Sequence, residues 1–352
     1  MLTRRILNDL VKFQRSISRK FSAKVSPKNL EHLKSRSLIS IKGPESSDFL
    51  QGLITNDIRH LSEGIPNIYT LFLNTRGRVL YDTIIYKSLE ENTFLIEVDA
   101  AATNDLQKHL KMYKLRRKVD ISSLEDKMKV WASFETDFDV ENLEKSKFEG
   151  RIFPCGSLTN TSTKILDDVM IFKDPRIPNY SLRILSQENV SREEIAKKLD
   201  FDDLKVQNDM NYRAFRYRLG IGEGVDDLSP GKSFPLEINC DYMHGVSFHK
   251  GCYIGQELTA RTHHTGVVRK RLMPLIFDNL PSKTFNYDEN VIDEKGKSVG
   301  KFKGNEGKLA LGLMRISEAL SAKELKIQGE MLKVVKPCWW PVDSPKEKMS
   351  IN

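Results

Sequence analysis

The side chains best equipped for chemistry fall between positions 231 and 266, above all in Lys250-Gly251-Cys252-Tyr253-Ile254-Gly255-Gln256-Glu257. A cysteine between glycine and an aromatic residue, two positions after a lysine, suits a thiolate that binds metal or attacks an electrophile. The nearby ammonium favours the ionised sulfur. Gly251 and Gly255 permit tight backbone geometry and close approach by a partner. Lys250 adds a donor toward anionic groups, while Gln256 and Glu257 can orient neighbours or accept hydrogen bonds. The same cysteine also reads as a small buried hydrophobe in a turn, the usual place of a free thiol. Residue chemistry alone leaves both readings open.

The remaining candidates narrow the metal chemistry. The four cysteines, Cys155, Cys240, Cys252 and Cys338, are scattered and form no C-x-x-C pair. A [4Fe–4S] cluster takes about four thiolates at close spacing, and structural zinc takes a similarly compact set. No resident cluster or zinc–cysteine site within one chain is therefore expected, although a single reactive thiolate such as Cys252 could still provide one ligand. His244, His249, His263 and His264 surround the segment. Adjacent His263 and His264 cannot both aim their rings at one ion from a strand, so these histidines are expected at the surface or in hydrogen bonds. Gly220-Ile221-Gly222-Glu223-Gly224 lacks the preceding strand and the third spacing of a dinucleotide loop, and reads as a flexible connection. No G-x-x-x-x-G-K-[ST], H-E-x-x-H or G-x-S-x-G motif occurs. Trp339 and Trp340 are expected to plug a core.

The elements that must hold these residues can be read from periodicity. A strand over 37–42 ends at Gly43-Pro44, and a helix is expected over 45–58 with Phe49, Leu50, Leu53 and Ile54 on one face. Strands are predicted over 68–73 and 78–86 around the turn at 74–77, with another over 93–98. Thr103 can cap a helix whose Leu106, Leu110 and Tyr113 fall at helical spacing, with Lys114, Arg116 and Arg117 at its C-terminal end. A strand over 128–134 precedes a loop-dominated connection over 136–163. Further on, a strand is expected over 181–185 and helices over 191–199 and 208–219. From 267 onward, short glycine-containing strands over 271–277, 297–302 and 309–314 have the spacing of a small barrel.

Composition and charge bound the class. A chain of 352 residues with 39% hydrophobic and 30% charged side chains is too long for one simple core. It contains no apolar run near the roughly 20 residues of a membrane span, so no integral membrane segment is expected. The formal charge is +8, but residues 1–21 hold Arg4, Arg5, Lys12, Arg15, Arg19 and Lys20 against Asp9. The body keeps a modest surplus and no basic–aromatic stripe, which argues against nucleic acid as a partner. Leu2, Ile6, Leu10, Phe13 and Ile17 recur every three or four positions, making the first 21 residues a basic amphipathic helix. That pattern is a mitochondrial transit peptide, with a cleavage site after Phe21, and it implies the mitochondrial matrix. A basic helix docked on the body or on an anionic membrane is the plainer reading. Residues 22–36 then read as a linker, 37–266 as the main α+β region, 267–341 as the barrel and 342–352 as a frayed tail.

The octapeptide, with Arg261 four residues after Glu257, resembles the signature of the YgfZ-type proteins. These belong to the aminomethyltransferase-like superfamily, together with the T-protein of the glycine cleavage system. FLQGLITND at 49–57 and TRGRVLYD at 75–82 are similar to the family's first helix and early strand. Residues 212–220, Gly231-Lys232 and Pro235-Leu236-Glu237 continue the likeness, which runs over about 37–341. The resemblance implies an α+β fold: a folate-binding-like region with antiparallel sheets, plus a C-terminal β-barrel. It also implies the eukaryotic branch's role, assembly of mitochondrial [4Fe–4S] proteins such as aconitase, with A-type scaffold proteins as partners acting through Cys252. The alternative is a folate-dependent one-carbon transferase, with tetrahydrofolate in a cleft near Asp82, Arg218 and Arg261. Here the transferase pattern departs. The adjacent acids expected on the early strand align with Tyr81-Asp82, so one survives, and a pterin-facing glutamate aligns with Arg218. A catalytic aminomethyltransferase is therefore not expected.

Overall fold

The computed structural model describes residues 29–135, 163–166, 168–177, 181–199, 210–337 and 339–341. The expected leader (1–21), the connection over 136–162, the tail (342–352), Cys155 and Cys338 lie outside the described residues.

The chain opens with β1 (Asn29–His32) and β2 (Arg36–Lys42), followed by α1 (Ser46–Gln51), β3 (Asn67–Leu73), β4 (Val79–Lys87) and β5 (Thr93–Asp99). Next come α2 (Thr103–Lys114), β6 (Asp120–Ser123) and β7 (Met128–Phe134). Then follow β8 (Thr163–Leu166), β9 (Val169–Lys173), β10 (Ser181–Gln187), α3 (Arg192–Lys198), α4 (Tyr212–Leu219), the single turn α5 (Gly224–Asp227) and α6 (Gln256–Thr265). Two five-stranded antiparallel sheets result, ordered β3-β4-β5-β2-β6 and β1-β7-β10-β9-β8. Residues 29–36, the described part of the expected linker, belong to the sheets and the turn between them. Asn29 pairs with Phe134 and Arg36 with Asp99, so the chain passes from one sheet to the other within residues 33–35. It passes back between β6 and β7.

The central strands of each sheet are buried on both faces, while the edge strands β6 and β8 are partly exposed. Leu38, Ile84, Tyr86 and Leu95 meet Val130, Phe134, Phe172 and Leu185 across the space between the sheets. On the outer face of the first sheet, Ile39, Ile41, Ile85 and Ile96 pack against Phe49 and Leu50 of α1 and Leu106 and Leu110 of α2. On the outer face of the second, Trp131, Ile171 and Ile184 pack against Ile195 of α3. Strands buried on both sides read as apolar runs, not clean alternation.

The barrel is closed. Its strands are β11 (Lys270–Phe277), β12 (Asn290–Asp293), β13 (Ser298–Glu306), β14 (Leu309–Arg315), β15 (Leu325–Ile327) and β16 (Glu330–Val334), with α7 (Ile316–Ser321) between β14 and β15. The order β11-β14-β13-β12-β15-β16 is sealed by pairing of β16 with β11. Helix α4 lies against β7 of the second sheet and against the barrel and ends at Gly220, whose left-handed φ of 75° caps it. Trp339 and Trp340 are buried in the shared core, and Trp339 Nε1 donates to the Leu219 carbonyl at 2.8 Å. They close the seam between α4 and the barrel.

Candidate functional site

The expected helix over 45–58 ends early, and the shortfall builds the seat of the cysteine loop. Helix α1 stops at Gln51, leaving carbonyls without intrahelical partners. Lys250 serves one of them, that of Gln51, together with two carbonyls of the chain that leaves the helix. Its Nζ donates to the carbonyls of Gln51, Ile54 and Asn56, each at 2.7 Å. An ammonium has three N–H groups, and all three are used. Burial pulls the Lys250 pKa down to about 7, while Asp57 opposes that shift. The three acceptors oppose it as well, because a neutral amine has only two N–H groups to share among them.

Other bonds stitch the same two segments together. Ser247 N donates to the Thr55 carbonyl at 3.0 Å and Ile254 N to the Gly52 carbonyl at 3.1 Å. Thr55 Oγ1 donates to the Gly245 carbonyl at 2.6 Å, and Asn56 Nδ2 to the His244 carbonyl at 2.7 Å. Tyr253 is buried, its ring 5.0 Å from Lys250 Nζ. Gln256 Oε1 accepts from Tyr253 N at 3.0 Å, satisfying the backbone just before α6. Glu257 is exposed in the first turn of α6, where an acid complements the helix dipole.

Cys252 is exposed on this pinned loop. Of the two readings, the buried turn hydrophobe is overturned. Cys240, by contrast, is fully buried beside Tyr69, and burial pushes its thiol pKa up. The ammonium of Lys250, expected beside the cysteine for its charge, also ties the loop to the segment around α1 and its exit through all three of its donors. The two glycines also differ. A side chain at Gly251 would meet nothing within 4 Å, whereas a Cβ at Gly255 would lie 2.3 Å from the Asn74 carbonyl oxygen. Gly255 also has φ of 77°. It lets the loop rest on the β3–β4 turn. Gly255→Ala is accordingly expected to lower unfolding stability by about 2 kcal/mol in urea titration.

His263 and His264 lie on α6, not on a strand, whereas His244 and His249 lie in the irregular segment before it, with His244 Nε2 buried and not hydrogen-bonded, contrary to the expected surface or hydrogen-bonded placement. His263 stacks on Phe248 with centroids 3.5 Å apart, and His264 meets His263 edge-on. Among the described residues, no group of three or more His, Cys, Asp or Glu is placed to hold a metal ion.

The folate-cleft candidates sit on three different elements and differ in burial: Asp82 on β4, Arg218 on α4 and Arg261 on α6. Asp82 is 4% exposed, between the sheets. Its carboxylate accepts from Arg36 at 3.2 Å and from Gly224 N at 2.9 Å. Arg261 is exposed on α6. Arg218 is half-buried on α4, whereas Arg216, two positions and so about 200° earlier round the helix, faces inward. Arg216 NH1 donates to Asp227 at 2.7 Å.

Around Asp82, charged groups from both sheets and from α4–α5 interlock. Arg36 Nε donates to Glu97 at 2.9 Å, and Tyr86 OH donates to the other oxygen of Glu97 at 2.6 Å. Arg176 grips Asp174 through two bonds, at 3.0 and 2.8 Å, and reaches Glu223 at 2.9 Å; Arg183 also pairs with Glu223. Tyr217 OH donates to Asp227 at 2.5 Å. The stretch around Gly222 and Gly224, expected as a flexible connection, is instead where Glu223 joins these arginines. A short run of glycines hid a buried acid. An arginine in an otherwise apolar strand, such as Arg183 between Leu182 and Ile184, was the available signal.

Comparison with known proteins agrees with this architecture. Residues 29–132 match the GCVT N-terminal domain family, and residues 269–342 match the CAF17 C-terminal beta-barrel domain family. The chain is 37% identical over 332 residues to the iron-sulfur cluster assembly factor IBA57, mitochondrial, of Mus musculus, covering 88% of this chain and 84% of that protein. It is 36% identical over 327 residues to the Homo sapiens protein of the same name, covering 89% and 85%. Among solved structures, the glycine cleavage system aminomethyltransferase T from Bartonella henselae gives a TM-score of 0.62 over 88% of this chain and 85% of that one. At 16% identity that likeness is one of fold. The chain belongs to the IBA57 family of mitochondrial iron–sulfur cluster assembly factors.

Proposed function

We propose that this protein works in late maturation of [4Fe–4S] proteins of the aconitase type, in the mitochondrial matrix, with A-type scaffold proteins as partners. Cys252 supplies one sulfur ligand to a cluster shared across the interface, and the partner supplies the others. The observation that carries this reading is an exposed thiol on a loop fixed to α1 and to the β3–β4 turn. A ligand held in place loses little conformational freedom when the complex forms. One cysteine cannot by itself furnish the roughly four ligands a cluster takes, so the cluster is cargo between two proteins.

A folate-dependent transferase is the weaker reading. Asp82, the acid expected to face a pterin, is engaged by Arg36 and the Gly224 amide, and on this reading it serves the fold.

In cells lacking the native protein, Cys252→Ser is expected to reach normal levels yet leave aconitase activity at the level of the deletion. Anaerobic reconstitution with an A-type partner should give cluster absorbance with the native chain and lose most of it with Cys252→Ser. Full aconitase activity in cells carrying Cys252→Ser would sink the assignment.

A further inference from the structure

A second surface is built around the C-terminal end of α2. Between Leu106 and Val119 there is no acidic residue, and Lys108, Lys111, Lys114, Arg116, Arg117 and Lys118 bring six cations. Lys108 pairs with Asp105 at 3.3 Å, and Glu45 receives the backbone N–H of Lys118. Set among these cations are two exposed apolar side chains, Met112 at 61% and Leu115 at 85%.

The backbone makes Leu115 stand out further. Arg117 N donates to the Lys114 carbonyl at 3.0 Å, closing a β-turn with Leu115 at its second position. There φ is 50° and ψ is −117°, the geometry of a type II′ turn, whose second position glycine normally fills. A leucine here carries backbone strain and leaves its side chain in water. Neither brings a contact within the folded chain. Both make sense if the tip is covered by something else.

We propose that this turn is a peripheral membrane contact: Leu115 enters the interface of an anionic phospholipid surface while the surrounding lysines and arginines meet the headgroups. Charge complementarity favours an anionic occupant, and each cation near such a surface adds to the attraction. The apolar tip is open to solvent, with Leu115 85% exposed. A fluid bilayer accepts a protruding leucine without a preformed pocket, whereas a protein would need one. The contact is independent of Cys252 and of the cluster role.

The test reads depth at this tip, because the basic leader can by itself bring the full chain to a vesicle. Leu115→Trp in the full-length protein places an indole in the turn, against a background of buried Trp131, Trp339 and Trp340. Phosphatidylglycerol–phosphatidylcholine vesicles with brominated acyl chains are expected to quench the added emission by more than half, and phosphatidylcholine alone to leave it unchanged. Adding Lys111→Glu, Lys114→Glu, Arg116→Glu and Arg117→Glu should weaken the vesicle titration at least tenfold in a chain that still unfolds cooperatively, its melting temperature lowered only slightly by acids at a helix C-terminus. The proposal is overturned if vesicles bind the chain with no bromine quenching of the new indole, or if charge reversal changes nothing. It is equally overturned if lipid leaves the indole untouched while an A-type protein shields it from an aqueous quencher.

Discussion

Lys250→Met should lower the folding free energy by about 4 kcal/mol. Hydrogen bonds to a charged donor contribute roughly 1.5–3 kcal/mol each, and buried acceptors left without a partner add their own cost. The three bonds converge on one nitrogen, so their effects overlap and do not simply add. Methionine keeps the stem and its packing on Tyr253, which isolates the ammonium. Lys250→Arg should rescue little, because a planar fork cannot present three donors converging from a single point. Urea unfolding gives the first readout. The second is alkylation of Cys252: release of the loop should change its rate in the variant well below the unfolding transition. Native stability in Lys250→Met would mean that the carbonyls of Gln51, Ile54 and Asn56 are satisfied in another way.

The other large effect belongs to Glu223. Burial pushes its carboxyl pKa up, but Arg183, Arg176, Arg36 and Arg216 outweigh that and hold it well below its ordinary 4.5. Glu223→Gln preserves the shape and removes the charge, leaving fully buried Arg176 and Arg183 short of a counter-ion. Breaking a buried pair from one side typically costs about 3–5 kcal/mol, and thermal or denaturant unfolding should register that loss. The pH dependence follows from the same linkage. A carboxyl whose pKa is lower in the folded than in the unfolded chain stabilises fully above the unfolded value, and loses that contribution as pH falls through the folded one. Asp174, whose pKa Arg176 and Arg183 hold down against burial, behaves alike. Native stability should therefore drop steadily below about pH 4.5, and more shallowly in Glu223→Gln. Parallel slopes for the two proteins would show that Glu223 titrates as an ordinary exposed acid.

The sequence carried the strands, the barrel and the cysteine motif, because each has a local signature: runs of β-formers, glycine punctuation or a spaced octapeptide. It did not carry partnerships made across the chain. Nothing local reveals that α1 ends at Gln51, since Leu53 and Ile54 continue a helical spacing; the Lys250 ammonium, nearly two hundred positions away, takes the freed carbonyls. The buried ion pairs were hidden for a related reason. Arg36, Glu97 and Arg183 sit where a half-exposed strand would place solvent-facing residues, and only the stacking of the second sheet turns that face into an interior. The contrast between Arg216 and Arg218 is of the same kind, since a motif match fixes no helical phase and two positions on a helix separate inside from outside. Hydropathy likewise gives no sign of the II′ turn at Leu115.

The stitching of residues 51–57 to residues 244–254 has a temporal side. A chain threading N-terminus first into an organelle delivers the seat of the cysteine long before the cysteine itself. Until the segment beyond position 250 has arrived, the carbonyls at the end of the first helix have no ammonium to receive, and the sulfur has no fixed address. A chain truncated before that segment would thus complete much of its first sheet and still lack the fixed loop that carries Cys252, which ties the ordering of this loop to completion of entry.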